Sequence, residues 1–423
     1  MTIPPRRRVL LLQGPVGGFF AHLRTALSGH GFEVRRLVFN GGDIFYSLGG
    51  RYEVARFRDG DYQAYFERLL GEWRPDFVVL FGDERPIHRV AKAAAAARGI
   101  RVWCFEEGYI RPDHVTFEPD GNNANSTLPA TFDSARAGTP PAPAPHLTGQ
   151  TFAMGLRACF YFIAHRSTRH LFPGYEHHRE RSLRAEFRYW FRAYFRRRFA
   201  LREDERLVER ILAGEHSPFF VVALQVHDDL QLRRHGRGWT SGTFLEAVLD
   251  SFHRAAPADA RLLIKAHPFD IGHNHHRKTL RRLIELDGLT SRVVYLQSGP
   301  LLPIVRQARG VVTINSTAGL ASLRNAIPTI AFGKALYHIE GLSRPPAGIE
   351  DLDRFWRDPP AVDREVADRF VEHTLRTALI PGSFYLKKTW PGIADAVAAR
   401  LRAADADRTD PTEVVVPDAG RAD

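Results

Sequence analysis

Short apolar runs alternate with stretches whose apolar positions recur every three or four residues along the first 130 positions of the chain. Arg8–Gly14, Val34–Asn40, Asp76–Gly82 and Arg101–Gly108 are β-branched or aromatic runs that end in glycine or polar residues, which predicts strands. Phe19–Ser28, Tyr62–Trp73 and Arg89–Arg98 between them carry the helical period. Repeated strand–helix units predict a parallel sheet covered on both faces.

Ala130–Gln150 breaks the pattern with Pro, Ala and Thr and no period, which predicts a loop or linker. Arg157–Glu209 then reads as basic, aromatic-rich helix. A second series follows, with strands over Phe219–Gln225, Arg261–Pro268, Arg292–Gln297, Gly310–Thr317 and Pro328–Gly333. Its helices fall over Thr243–Arg254, Arg277–Asp287, Leu302–Ala308 and Ala318–Ala326. The chain therefore divides into a first α/β domain (1–150), a basic helical segment (151–215), a second α/β domain (216–340) and C-terminal helices (341–405). A polar tail over 406–423 is expected to be disordered.

Composition narrows the class. The 423 residues are 44% hydrophobic and 25% charged, ordinary for a globular chain with room for two cores. No window approaches the roughly 20 uninterrupted apolar residues of a membrane span, and Met1–Leu12 is too short and strand-like for a signal peptide. Cys104 and Cys159 are the only two cysteines, which excludes a disulfide scaffold and favours the cytoplasm. The net charge of +11 is local: Arg157–Arg202 holds 12 Arg against 3 Glu. Only six of the 59 basic residues are lysine, so the wider arginine excess reflects codon bias more than a binding surface.

The polar signals gather at strand ends, where open α/β sheets bind ligands. Ser316 and Thr317, with Asn315 before them and Gly319 after, open a helix whose free N–H groups favour a phosphate; plain N-capping is the alternative. His267-Pro268 beside Lys265 ends another strand and suits hydrogen bonding to a phosphate leaving group; a buried or surface histidine with no task, one of 19 in the chain, is the alternative. Gln225 precedes His227-Asp228-Asp229, where the acids offer a general acid/base carboxylate, a metal-binding pair or merely a solvated loop. Glu106 and Glu107 precede Gly108, and only one of two adjacent strand residues faces a cleft. Glu107, next to the permissive glycine, is the preferred general acid/base, leaving Glu106 to pair with an arginine such as Arg111. Gly14 and Gly17 lie in a turn that lets backbone approach a ligand, but form neither a dinucleotide fingerprint nor a Walker loop. With Asp83, Glu106, Tyr109 and Arg111 they are the first domain's candidate substrate contacts. His273-Asn274-His275-His276 lacks companion ligands at metal spacing, so no metal is expected.

The stretch Arg157–Arg202 also carries 12 aromatic residues. That composition fits an interfacial helix on an anionic membrane, a nucleic-acid stacking surface, or aromatics packed on a core beneath solvated arginines.

Ordered blocks join these pieces: QGPVGGFF, FNGGDIFY, FGDERPIHR, FEEGYIRPDHVTFE, LQVHDDLQLRRH, IKAHPFD, VTINSTAGL and GSFY. From about Arg7 to Tyr385 they resemble the capsule polysaccharide biosynthesis (export) family of Gram-negative bacteria, and within it the β-Kdo transferase that starts the lipid-linked linker of group 2-type capsules. The resemblance implies a GT-B glycosyltransferase: two Rossmann-like domains facing a cleft, with a C-terminal helix returning to the first. It implies CMP-Kdo as donor, with Glu106-Glu107-Gly108, His267-Pro268 and Ser316-Thr317 matching the motifs of enzymes that use CMP-activated ulosonic acids. It further implies retention through two displacements, with Glu107 as acid/base and Asp229 as nucleophile, Asp228 being the alternative. The implied partners are a lysophosphatidylglycerol-type lipid, the anionic cytoplasmic face of the inner membrane, the capsule export machinery and a partner Kdo transferase, with no cofactor and no nucleic acid. A GT-B enzyme elongating capsule or lipopolysaccharide glycans, and a basic nucleic-acid-binding protein, are the competing readings.

Overall fold

The computed structural model describes residues 6–57, 61–133, 147–148, 150–177, 202–226, 229–267, 280, 284–285 and 288–409. The first lobe is built on β1 (Arg8–Leu11), β2 (Glu33–Val38), β3 (Glu53–Val54), β4 (Phe77–Phe81), β5 (Arg101–Glu107) and β6 (His114–Pro119). The second carries β7 (Phe219–Ala223), β8 (Arg261–Lys265), β9 (Val293–Leu296), β10 (Gly310–Thr313) and β11 (Thr329–Ala331). A last strand, β12 (Leu379–Pro381), returns to the first sheet, whose order is β12-β6-β5-β4-β1-β2-β3, while the second runs β11-β10-β7-β8-β9.

The second sheet is parallel throughout, and its central strand Phe219–Ala223 is buried along its whole length, as a strand covered on both faces must be. The first sheet departs from the expected all-parallel arrangement. β6 pairs antiparallel with β5, and β12 antiparallel with β6. Only residues 108–113 join β5 to β6, too few for the crossover of a dozen or more residues that a parallel neighbour needs, so the chain turns back as a hairpin.

Side-chain alternation splits each sheet between two cores. In the first, Val9, Leu11, Val79 and Phe105 pack toward the helices Phe19–Gly29 and Trp390–Thr409, while Leu10, Leu12, Val78 and Cys104 pack toward Tyr62–Trp73 and Pro86–Ala96. The C-terminal helix gives Ile393, Val397, Ala398 and Leu401 to the first lobe's core. Two Rossmann-like lobes spanned by one chain that crosses back form the GT-B arrangement.

Strand order reverses between β1 and β4 in the first sheet and between β7 and β10 in the second. Such switch points open a crevice beyond the carboxyl ends of the strands. Gln13 follows β1, the Gly82–Arg85 turn follows β4, Gln225 follows β7, and Asn315–Thr317 follow β10, so both crevices are lined by the polar segments singled out in the sequence. The lobes touch through Tyr109 and Leu128 on one side and Leu320, Leu323 and Tyr337 on the other.

The helix Gln150–Ser167 sits on the first lobe, and its approach depends on glycine. A Cβ on Gly42 would lie 2.6 Å from the Tyr161 ring, and one on Gly41 nearer still to the Thr168 hydroxyl. Gly42→Ala should therefore lower stability by about 1–3 kcal/mol through overpacking. Gly71→Ala, on a helix with nothing within 4 Å of the added carbon, should leave stability unchanged or raise it by about 0.5–1 kcal/mol. Parallel thermal melts of the two variants measure the difference.

Of the segments read from sequence, 134–146 and 149 of the Pro/Ala/Thr stretch, 178–201 of the basic stretch, most of Arg277–Asp287, His273–His276, and the tail from 410 on lie outside the described residues. So do His227, Asp228 and Pro268. Among the described residues no helix is long and apolar enough to cross a membrane.

Candidate functional site

The end of β5 sends its two carboxylates to opposite faces, as strand alternation requires. Glu106 turns toward the β1/β4 crevice. Its Oε1 accepts the Glu107 backbone N–H at 3.0 Å, and the surrounding protein pushes its carboxyl up to about 7, burial being the main cause and Glu107 adding to it. The fully buried Arg85 guanidinium opposes that rise without forming an ion pair. Arg85 donates instead to Gln13 Oε1 at 2.9 Å and to the Gly14 carbonyl at 3.2 Å.

Gln13 anchors a wider buried network. Its Nε2 donates to Asp43 Oδ2 at 3.0 Å and to the Tyr175 hydroxyl at 2.9 Å. Asp43 also accepts from the Phe39 N–H at 2.9 Å and from the Tyr161 hydroxyl at 3.2 Å, and Asn40 donates to Tyr161 at 2.8 Å. Asn40, Asp43, Arg85, Tyr161 and Tyr175 were missed as site residues in the sequence. For Asn40, Asp43 and Arg85 the signal was present in the blocks FNGGDIFY and FGDERPIHR, where polar residues follow an apolar run; Tyr161 and Tyr175 lie in no such block.

Glu107 lies on the other face. Its Oε1 accepts the Tyr385 hydroxyl proton at 2.7 Å, which ties the GSFY block to the acidic pair. Arg157 stands beside them, donating to the Phe384 carbonyl at 3.0 Å with its guanidinium 5.6 Å from the Trp390 ring centre. Gly17, with φ +123°, gives way to Arg157, whose Cδ would be 3.2 Å from a Cβ there.

In the second lobe, Gln225 Oε1 accepts the Asn315 N–H at 3.1 Å across the β7/β10 crevice. Asn315 Nδ2 donates to the Gln231 carbonyl at 3.0 Å. Ser316 Oγ accepts the Ala318 N–H at 3.2 Å, so it caps, whereas the Thr317 side chain makes no capping bond. Both residues are half-buried, as is His267 at the end of β8. Thr317 and Asn315 line a small cavity with Gln231 and Lys334, and Asn123 of the first lobe closes it.

Several candidates make structural contacts within the fold. Lys265 is buried and donates to the Ala266 carbonyl at 2.9 Å, and burial lowers its amine to about 8. Gly319 makes room for Tyr337, whose hydroxyl a Cβ there would strike, and Gly14 makes room for the Phe20 ring. The Tyr109 hydroxyl donates to Glu118 and accepts the Asn123 N–H at 2.6 Å. Asp83 is fully buried and accepts from Lys92 and Asn125, each at 2.9 Å. Arg111 is exposed and donates to the Gly108 carbonyl at 3.2 Å, without an ion pair to Glu106. Asp229 is the N-cap of the helix Leu230–His235, its Oδ1 accepting the Gln231 N–H at 2.8 Å.

A contact between the lobes went unread in the sequence. Glu84 Oε1, after β4, meets His235 Nε2 at 2.9 Å and accepts from Asn125 Nδ2 at 2.7 Å. The hydrogen bond with His235 is the main cause that holds the Glu84 carboxyl down at about 2. The contact draws the Asp229-capped helix to the mouth of the first crevice.

A family profile described as capsule polysaccharide biosynthesis protein matches residues 76–385. The capsule polysaccharide export protein KpsS of Escherichia coli is 35% identical over 382 residues, spanning 90% of this chain and 97% of that protein. The capsule polysaccharide modification protein LipB of Neisseria meningitidis serogroup A is also 35% identical, over 90% of this chain and 93% of its own. Among solved structures, the β-Kdo 2,7 transferase KpsC of Thermosulfurimonas dismutans aligns with 95% of this chain and 100% of its own, at 12% identity and a TM-score of 0.42.

Proposed function

The chain belongs to the capsule polysaccharide biosynthesis family, and from that premise we propose that it is a retaining glycosyltransferase that moves Kdo from CMP-Kdo to a (lyso)phosphatidylglycerol acceptor at the cytoplasmic face of the inner membrane. The observation that carries this reading is the meeting of two crevices. Glu106, at the end of β5, turns toward the first lobe's crevice, the Ser316–Thr317 loop stands at the second's switch point, and Glu84–His235 draws the two lobes together.

The donor's leaving group is a nucleoside monophosphate. His267, Ser316 and Thr317 would hydrogen-bond its oxygens as the bond to the sugar breaks, and the stable phosphate needs no proton to depart. The Asp229 carboxylate attacks the anomeric carbon, CMP leaves with the bonding pair, and a glycosyl–enzyme ester remains. The acceptor hydroxyl then attacks the same carbon, its proton passes to a carboxylate, and Asp229 is released. Two inversions give net retention. For the proton we take Glu106 in place of the Glu107 preferred from sequence: it turns toward the crevice, and burial lifts its carboxyl to about 7, where a group can take and return a proton at neutral pH.

Donor identity has a direct test. CMP should raise the melting temperature, a ligand at a hundred times its Kd stabilising by about 2.7 kcal/mol, while UDP at equal concentration should do little. A larger response to UDP would move the chain to another nucleotide-sugar class.

A further inference from the structure

The helix Gln150–Ser167 has two faces of opposite character. Tyr161 is buried in the Gln13 network, whereas Leu156, Phe160 and Ile163 are 49%, 47% and 53% exposed. At 3.6 residues per turn these three fall within about 60° of one another, and Arg157 lies at the border between the outer and inner faces. Phe160 stacks on Phe45, which is 42% exposed, with ring centres 6.1 Å apart. Among the described residues this makes an apolar surface open to solvent.

Arg157 bounds that surface on the side of the acidic pair. It is half-buried, touches the Phe384 carbonyl and the Trp390 ring, and among the described residues no carboxylate lies within ion-pair distance of it. Burial lowers its pKa, and only Tyr46 and Tyr385 act against that. A half-buried cation that lacks a counter-ion calls for an anion, and an exposed apolar face next to it calls for a hydrocarbon chain. One molecule meets both demands when it is an anionic amphiphile. The Tyr385 hydroxyl, bonded to Glu107, then stands between the anion's place and the acidic pair.

We propose that the lipid acceptor approaches over this face, its acyl chain on Phe45, Leu156, Phe160 and Ile163, its phosphate on Arg157, and its glycerol hydroxyl extending toward Glu107 and Glu106. The inference rests on the reading of the chain as a transferase acting on a phosphoglycerol lipid, and it adds the residues that select that lipid. The rim cation distinguishes a phospholipid from a neutral lipid of equal length, while the apolar face serves both.

The test measures binding without any sugar nucleotide, so its result stands apart from the success or failure of Kdo transfer. The probes are lysophosphatidylglycerol below its micelle concentration and a monoacylglycerol of the same chain length. Arg157→Gln should weaken lysophosphatidylglycerol about tenfold and leave monoacylglycerol within about twofold, because a charge-assisted contact is lost. Arg157→Lys, which keeps the charge, should restore most of the preference. Phe160→Ser combined with Ile163→Ser, both about half exposed, should weaken both probes about tenfold through lost apolar contact. No binding of either probe by the unaltered protein, equal weakening of both by Arg157→Gln, or unchanged binding by the double variant would each overturn the proposal.

Discussion

Asp229→Asn should abolish transfer, by at least about a thousandfold, while CMP-Kdo still binds. The substitution is chosen for what it preserves. Asp229 caps the helix Leu230–His235 through its Oδ1, and asparagine caps a helix as well as aspartate. The amide can accept the same Gln231 N–H but cannot form a glycosyl ester. Asp229→Ala removes both functions and costs about 1 kcal/mol of local stability, so it separates nothing by itself. If Asp229→Asn turns over normally and Asp229→Ala only melts earlier, the residue is a cap and the nucleophile lies elsewhere. Asp228→Asn, assayed beside it, tests the neighbouring acid.

Glu106→Gln should lower turnover by about a hundredfold to ten-thousandfold and remove the pH dependence. The sign follows from the role. A base must be ionised to take the acceptor's proton, so the activity of the unaltered protein should rise with pH through about 7 and level off above it. In Glu106→Gln that limb should vanish. Stability should move the opposite way. The folded carboxyl sits at about 7 against an ordinary 4.5, so the native state binds more protons than the unfolded chain between those values. This group's contribution to stability is therefore lost as pH rises from about 4.5 through 7, and glutamine, which carries no charge to bury, should melt higher at alkaline pH. A variant slower yet more stable is the mark of a carboxyl held in a costly place for function. Full activity in Glu106→Gln with loss in Glu107→Gln would return the proton transfer to Glu107.

Much of the scaffold was legible because it is locally encoded. In Tyr62–Trp73, Phe66, Leu70 and Trp73 recur at helical spacing and all are buried, while Asp61 caps the first turn through the Ala64 N–H. The strands of the second lobe read directly from apolar runs, since burial on both faces removes polar interruption. β6 and β12 escaped because their partners are set by a short hairpin and by a return of the chain from far along the sequence.

The site was legible in part for the same reason. Alternation along β5 fixed that Glu106 and Glu107 diverge, but it could not say which carboxyl would be crowded. That depends on how deeply the fold buries each one and on Arg85 and Arg111, which oppose the rise at Glu106. Lys265 and Asp83 illustrate the converse. Each has the right charge at the end of a strand, yet the fold directs the lysine to backbone carbonyls and the aspartate to Lys92. In the basic aromatic stretch the packing reading holds at Tyr161, while Phe160, one residue earlier, faces solvent. A helix presents two faces, and composition averages over both.

Central to the account is that closure of two Rossmann-like lobes brings a cytidylate-activated sugar to a lipid hydroxyl. Incubation of the purified protein with CMP-Kdo generated in situ and fluorescent lysophosphatidylglycerol, followed by mass spectrometry of the lipid, tests this most directly. The account predicts lipid that gains a Kdo residue with release of CMP, and no gain with the Asp229→Asn protein. Lipid recovered unchanged, from folded protein that binds both CMP and the lipid, would contradict it.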